Sequence, residues 1–288
     1  MSTLKVEHLT KEYGDVTAVD DVSFEIEDEF VVLLGESGAG KSTLLRCING
    51  LTEPTSGSIT LDGDPLSGSR AEVGMIFQQH NLVEGVSAYL NALNGSLEHA
   101  STVESLFQWQ DRSDKLRALE ALETVGLLDE AHQRVAQMSG GQQQRVGISR
   151  ALVQDPSLLL ADEPVASLDP SSAETVMDYL KKAASQHEVT ALVSLHQVNI
   201  AAHFGERFIG LHDGQLLFDV GPDELTPELI DQLYGSVETV GLAAQNDDTA
   251  AHEHGATGDG PLVDDAPTDH GSTDGETADD DEGRRVEA

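Results

Sequence analysis

The sequence predicts an α/β fold with a mostly parallel β-sheet. Up to about residue 234, strand-like apolar runs alternate with helix-like segments, which is the order expected when helices cover a parallel sheet. Three runs, residues 31–34, 158–161 and 190–195, are each followed directly by polar residues. Because parallel strands end at one edge of the sheet, and ligands of open α/β sheets bind at that edge, we expect a ligand site there.

A helical segment interrupts this alternation between about residues 85 and 150. The strand signal fades there, and within residues 115–128 four apolar residues recur at spacings of three, as on one helical face. These residues are Leu116, Leu119, Leu122 and Val125. We therefore predict an inserted α-helical subdomain over about residues 85–150.

The C-terminal segment, residues 241–288, differs in composition from the rest of the chain. It is rich in Asp, Gly, Thr, Ala and His and has few large apolar side chains to offset the entropy cost of ordering. It contains 14 acidic and 2 basic residues, which contribute −12 to the formal net charge of −36. We predict one folded domain over residues 1–240, followed by a disordered acidic tail over residues 241–288.

The remaining charge of −24 lies on residues 1–240, so the predicted folded body is itself strongly acidic. Such a surface repels nucleic acid, and no nucleic-acid partner is expected. Repulsion within the body would loosen a compact domain at low salt, whereas at about 1 M salt the Debye length falls to about 3 Å. With only six lysines, the composition resembles that of proteins from extreme halophiles; an ordinary acidic protein is the alternative.

Neither a membrane span nor an export signal is expected. The longest apolar runs are far shorter than the roughly 20 residues that cross a bilayer. Residues 1–11 lack the basic and then apolar pattern of a signal peptide. The single cysteine, Cys47, allows no internal disulfide and is predicted to be a small buried apolar residue. These features predict a cytoplasmic location.

The strongest motif follows the first apolar run and has the phosphate-binding pattern G-x-x-x-x-G-K-[ST]. Glycines let the backbone aim N–H groups at phosphate oxygens, and the start of the following helix attracts the anion. Lys41 is expected to reach the β- and γ-phosphates of ATP, and Ser42 to hold Mg²⁺. The predicted ATP-binding residues here are Gly35, Glu36, Ser37, Gly38, Ala39, Gly40, Lys41, Ser42 and Thr43. The alternative is a Gly-rich surface turn.

Asp162 and Glu163 directly follow the second apolar run. Two carboxylates at the end of a buried strand are costly unless a cation compensates them. In a phosphate-loop ATPase the first acid holds Mg²⁺ through water and the second polarises the attacking water. Alone, the two acids are equally compatible with a turn at a strand end; together with Lys41 and Ser42 they favour ATP hydrolysis.

A second Gly-rich segment, residues 138–145, gives the chain its resemblance to the ATP-binding subunits of ABC transporters. It reads Met-Ser-Gly-Gly-Gln-Gln-Gln-Arg, with Met138 where the family usually has Leu. The resemblance spans about residues 4–235 and implies a P-loop ATPase core with an antiparallel β subdomain near the N-terminus. One departure is that Asp28 and Glu29 stand where the family usually has Gly-Glu before the first core strand.

The resemblance implies roles for four further residues. Gln78 would sense Mg²⁺ and the attacking water and link the core to the helical insert, and His196 would contact the γ-phosphate. Tyr13 would stack on adenine, and Asp169 would lie in a loop that crosses a dimer interface. Taken alone, Tyr13 and His196 are also compatible with structural roles, and Asp169 before Pro170 also matches a helix N-cap.

The resemblance also implies a head-to-tail homodimer joined by two ATP molecules. The ATP held by Lys41 of one copy would be completed by residues of the other copy. These residues are Ser139, Gly140, Gly141, Gln142 and Asp169. Hydrolysis would remove the γ-phosphate contacts, so the pair would reopen.

Four segments, residues 46–51, 76–83, 161–170 and 194–198, look most similar to those of phosphonate import ATPases. This resemblance implies two transmembrane permease subunits, a solute-binding protein and a peripheral position on the cytoplasmic face of the cell membrane. Because the transported solute does not touch these segments, the sequence is also compatible with importers of phosphate, phosphite or amino acids. A soluble ABC ATPase of translation or DNA repair is less favoured, because such proteins usually carry two ATPase domains or a long coiled coil, and neither is found in this sequence. A non-hydrolysing scaffold is disfavoured by Glu163, since degenerate scaffolds tend to lose that acid.

Overall fold

The computed structural model describes residues 2–68, 70–79, 81–98 and 112–235. The N-terminal sheet contains β1 (Thr3–Tyr13), β2 (Val16–Glu27), β4 (Ser56–Leu61) and β5 (Asp64–Pro65). The main sheet contains β3 (Phe30–Leu34), β6 (Val73–Ile76), β7 (Leu158–Asp162), β8 (Thr190–Leu195), β9 (Arg207–His212) and β10 (Gln215–Val220). The predicted tail, residues 241–288, lies outside the described residues, and the domain boundary at residue 240 stays a prediction.

The helices cover the main sheet and fill the segment between β6 and β7. They are α1 (Lys41–Ile48), α2 (Ala88–Leu93), α3 (Arg112–Thr124), α4 (Gly140–Val153), α5 (Pro170–Gln186), α6 (Val198–Phe204) and α7 (Pro227–Tyr234). Short 3-10 segments lie at Asn94–Glu98, Val135–Gln137 and Pro222–Glu224. In the described part of the chain, no helix combines the length and the apolar character that crossing a bilayer requires.

The strand order of the main sheet is β10-β9-β3-β8-β7-β6, and β10 is antiparallel to β9 while the other neighbours are parallel. The N-terminal sheet is antiparallel, in the order β2-β1-β4-β5. Both results confirm the predicted fold class. Every residue of β3, β7 and β8 is buried, which explains why these strands appear in the sequence as unbroken apolar runs.

Two hydrophobic clusters lie on opposite faces of the main sheet. Successive side chains of a strand point to opposite faces, so Phe30, Val32 and Leu34 of β3 pack in the cluster that contains α4 and α5. The alternate residues of β3 pack with α1 and the N-terminal sheet. Cys47 of α1 lies in this second cluster and is buried, as predicted.

The predicted helical insert contains α2, α3 and α4, but its core-facing residues differ from the predicted stripe. Leu122 and Val125 are buried, whereas Leu116 is 55% exposed and Leu119 is 36% exposed. With 3.6 residues per turn, a step of three residues rotates about 60° less than a full turn of the helix. Residues nine positions apart therefore face opposite sides. Ala118 and Ala121 supply the rest of the buried face of α3.

Asp28 shows why the departure from the family's usual glycine is tolerated. Its φ is 48°, the left-handed conformation that glycine adopts freely and that Asp adopts more readily than most residues. Its side chain accepts a hydrogen bond from Ser2 N at 3.0 Å, and its N–H donates to Thr190 Oγ1 at 3.1 Å. These contacts hold the turn that leads into β3.

Lowering the salt concentration is expected to unfold the domain. Residues 1–240 carry −24, and at about 0.01 M salt the Debye length of about 30 Å lets these charges repel one another across the molecule. Circular dichroism during a titration from molar KCl downward measures the loss of structure. Unchanged ellipticity and unchanged thermal stability at about 0.01 M salt would contradict the halophilic interpretation.

Candidate functional site

The predicted phosphate-binding loop lies between β3, which ends at Leu34, and α1, which begins at Lys41. Gly40 is the N-cap of α1 and has a φ of 100°. A Cβ atom at this position would lie 2.2 Å from the carbonyl oxygen of Ala18, so no other residue fits. Because α1 begins directly after the loop, its amino end, which carries a partial positive charge, faces the loop.

Lys41 is buried beneath the loop and bonds to its backbone. Its Nζ donates to the carbonyl oxygens of Gly35 at 2.7 Å and Glu36 at 2.9 Å. It also lies 3.6 Å from Glu163 Oε1. Burial lowers the pKa of the Lys41 ammonium group, and the negative charges of Glu163 and Asp162 oppose this shift. The site therefore holds a desolvated cation beside two carboxylates.

Asp162 is the last residue of β7 and is buried. Its Oδ1 accepts hydrogen bonds from Ser42 Oγ at 2.8 Å and from Ser194 Oγ at 3.1 Å. The parallel pairing of β7 and β8 places Asp162 opposite Ser194. A carboxylate of β7 and two hydroxyl groups, one from α1 and one from β8, thus converge at the sheet edge where the sequence predicts a ligand site.

Glu163 directly follows β7 at this edge and has a left-handed backbone, with a φ of 46°. Such a conformation costs a residue with a side chain about 1–2 kcal/mol. The hydrogen bond from its N–H to Ser194 Oγ, 2.9 Å long, helps to hold it. Its two carboxylate oxygens face different partners, because Oε1 lies 3.6 Å from Lys41 Nζ and Oε2 lies 3.7 Å from His196 Nδ1.

A cavity of about 250 Å³ opens between the loop and these side chains. It is lined by Ala18, Ser37, Gly38, Gly40, Lys41, Ser42, Thr43, Gln78 and Glu163. The structure thus brings Gln78, which follows β6, to the same space as the phosphate-binding loop. A larger cavity of about 460 Å³ lies at the amino end of β3 and is lined by none of the predicted site residues.

Tyr13 is at the carboxyl end of β1 and does not line the 250 Å³ cavity. It is 50% exposed, and Lys11 Nζ lies 4.9 Å from the centroid of its ring. An exposed aromatic ring beside a cation is available for stacking, but the geometry within one chain leaves its role a prediction.

Ser139 and Asp169 are both helix N-caps in this structure. Ser139 caps α4 in a capping box, in which Gln142 N donates to Ser139 Oγ at 3.3 Å and Ser139 N donates to Gln142 Oε1 at 2.9 Å. Asp169 Oδ1 accepts from Ser172 N at 3.0 Å, and Pro170 begins α5, which confirms the N-cap interpretation. Hydrogen bonds from Ser172 lower the pKa of Asp169.

These two helix starts are neighbours. A Cβ atom at Gly140 would lie 3.2 Å from Leu168 Cδ2, and one at Gly141 would lie 3.5 Å from Ser172 Cβ. Ser139, Gly140 and Asp169 are exposed, and none of the residues predicted to act across a dimer lines the 250 Å³ cavity. Each chain therefore presents a nucleotide-loop cavity and, separately, an exposed pair of helix starts.

Ser194, which bridges Asp162 and the backbone of Glu163, was not among the residues predicted from the sequence. The available signal was a polar residue within an otherwise apolar run, two positions before His196. Ala18, whose carbonyl oxygen packs against Gly40, was not predicted either.

Comparisons with known proteins agree with this geometry. A model of the ABC transporter family matches residues 19–166. Phosphonates import ATP-binding protein PhnC 2 of Haloquadratum walsbyi is 71% identical over 288 residues, 100% of each chain. PhnC of Halobacterium salinarum is 65% identical over 251 residues, covering 87% of this chain and 90% of that one. Phosphite import ATP-binding protein PxtA of Stutzerimonas stutzeri is 47% identical over 246 residues, covering 83% and 89%.

Among solved structures, the dimeric post-hydrolysis state of the ATP-binding cassette MJ0796 bound to ADP and Pi is similar to this fold. It is 33% identical, with a TM-score of 0.64, and the match covers 76% of this chain and 98% of that one. The family match, the relatives and the shared cassette fold together show that this chain belongs to the ABC transporter family of ATP-binding proteins.

Proposed function

We propose that this chain binds and hydrolyses ATP to drive import of phosphonate or a related phosphorus oxyanion. The observation that carries the proposal is the 250 Å³ cavity in which Lys41, Ser42, Gln78 and Glu163 meet. The full-length similarity to PhnC 2 supports phosphonate as the solute, and the similarity to PxtA keeps phosphite as the alternative. The acidic composition fits relatives from Haloquadratum and Halobacterium.

The donor atoms at the site fit ATP and Mg²⁺. The Lys41 ammonium group and the amino end of α1 offer positive charge to phosphate oxygens. The other residues of the loop, from Gly35 to Thr43, are proposed to supply the remaining contacts to the nucleotide. Mg²⁺ prefers oxygen ligands and keeps several waters, and Ser42, Gln78 and Asp162 supply hydroxyl, amide and carboxylate oxygens. In such a site the metal ion neutralises charge on the phosphates.

Glu163 is the residue that we propose as general base. Its carboxylate takes a proton from the attacking water, and the nearby charge of Lys41 stabilises the negative charge on the phosphoryl oxygens. His196, whose Nδ1 lies 3.7 Å from the other carboxylate oxygen, is proposed to contact the γ-phosphate. Tyr13 is proposed to stack on the adenine ring.

We further propose that the exposed helix starts act on the ATP of a second copy. In a two-fold dimer, both copies contribute the same surface, so each copy would complete the ATP site of the other. The residues proposed to do so are Ser139, Gly140, Gly141, Gln142 and Asp169. The dimeric MJ0796 structure supports this arrangement. Two transmembrane permease subunits and a solute-binding protein complete the proposed importer, which places this subunit at the cytoplasmic face of the membrane.

The transported solute is tested by growth. Deletion of the gene in its host is expected to abolish growth in high-salt medium with methylphosphonate as the sole phosphorus source, because the importer loses its motor. Growth on phosphate serves as the control, and medium with phosphite tests the alternative. Unimpaired growth of the deletion strain on both methylphosphonate and phosphite would contradict the proposal.

A further inference from the structure

We propose that Tyr234 is a positioning residue for the phosphate-binding loop, an inference that rests on the proposed ATPase function. The N–H of Gly35, the first residue of the loop, donates a hydrogen bond to the Tyr234 hydroxyl oxygen at 3.0 Å. Tyr234 is the last residue of α7 and lies 199 positions later in the chain. A helix from the C-terminal part of the described chain thus holds the first peptide group of the nucleotide site.

The Gly35 N–H depends on this contact because Gly35 is buried and follows the last residue of β3. It packs closely on β9, and a Cβ atom on Gly35 would lie 2.4 Å from the carbonyl oxygen of Leu211. A buried backbone N–H without an acceptor is unfavourable, so the tyrosine hydroxyl takes the place of a strand neighbour.

The carbonyl side of Gly35 is held by a different group. Lys41 Nζ donates to this oxygen and to that of Glu36, which together use two of the three ammonium donors. A bound phosphate competes for those donors. The hydrogen bond from the Gly35 N–H to Tyr234 does not involve the Lys41 ammonium group, so it keeps the start of the loop in place while Lys41 changes partners.

The hydroxyl group of Tyr234 is itself held by a well-anchored helix. Thr226 caps α7 by accepting from Leu229 N at 3.4 Å, and Pro227 occupies the first turn. Ile230 and Leu233 are buried in the core cluster that also contains β3 residues. The position of α7 is therefore coupled to the loop through the Tyr234 hydroxyl group.

Replacing Tyr234 with Phe tests the inference, because it removes only the hydroxyl group. In molar KCl, we expect the dissociation constant for Mg-ADP and the KM for ATP to rise about fivefold, the effect of one hydrogen bond, with little change in kcat. Tyr179→Phe is the matched control, since Tyr179 packs beside Gly126 and Arg145 outside the site. Hydrogen exchange of the Gly35 amide, measured by NMR on glycine-labelled protein, is expected to accelerate in Tyr234→Phe alone.

If Tyr234 had a purely structural role, Tyr234→Phe would lower the melting temperature. Nucleotide affinity measured at temperatures well below the melting temperature would then be unchanged. Equal nucleotide affinity in Tyr234→Phe and wild type, or unchanged exchange of Gly35, would overturn the inference while leaving the proposed function intact. Failure of the wild-type chain to bind Mg-ADP would contradict the proposed function first.

Discussion

Glu163→Gln is expected to reduce the ATP turnover rate at least about 10²-fold while ATP binding persists. The amide has nearly the same shape as the carboxylate but cannot accept a proton from the attacking water. It also removes a negative charge that lies 3.6 Å from Lys41, so the attraction between this lysine and phosphate is not weakened. Phosphate release and equilibrium binding of ATP, both in molar KCl, measure the two effects separately.

Glu188→Gln is the matched control for this substitution. Glu188 also has a left-handed backbone, with a φ of 53°, but it lines the larger cavity at the other end of β3. The same chemical change at Glu188 is expected to leave turnover unchanged. The comparison distinguishes loss of proton transfer at Glu163 from general effects of removing a charge or altering a left-handed turn. Undiminished hydrolysis in Glu163→Gln would count against Glu163 as the base.

The sheet edge was predictable from the sequence because it depends on local patterns. Residues 31–34, 158–161 and 190–195 are buried on both faces of the sheet, so they appear as apolar runs, and parallel pairing brings their ends together. Predicting which residues contact Asp162 and Glu163 would have required the register of the strands. Ser194 is opposite Asp162 only because β7 and β8 pair in one register, which the sequence does not state.

The contacts that were not predicted are those between distant parts of the chain. Gly35 and Tyr234 are 199 residues apart, and no periodicity relates them. The prediction that Leu116 and Leu119 lie on the buried face of α3 was wrong for a different reason. Residues spaced by three do not stay on one side of an α-helix. Small residues, Ala118 and Ala121, form the buried face, and they give a weaker signal than leucine.

The separation between the loop cavity and the exposed helix starts leads to a prediction for mixed dimers. Copies with Lys41→Ala lack the phosphate-binding cation, and copies with Ser139→Ala lack the hydroxyl group proposed to reach the partner's ATP. Each variant alone is expected to be inactive. In a mixed dimer, one of the two sites pairs the intact Lys41 of one copy with the intact Ser139 of the other copy.

Mixing the two variants in equal amounts is therefore expected to restore activity, up to about a quarter of the wild-type rate, because half of the dimers are mixed and each has one intact site. ATP hydrolysis is measured after subunit exchange, with dimer formation followed by light scattering. Ser87→Ala controls for loss of an N-cap, since Ser87 Oγ accepts from Leu90 N at 3.3 Å, the same distance as at Ser139. If normally dimerising mixtures stay inactive, Ser139 acts within its own chain or not at all, because only a site built from two chains can be rescued by exchange.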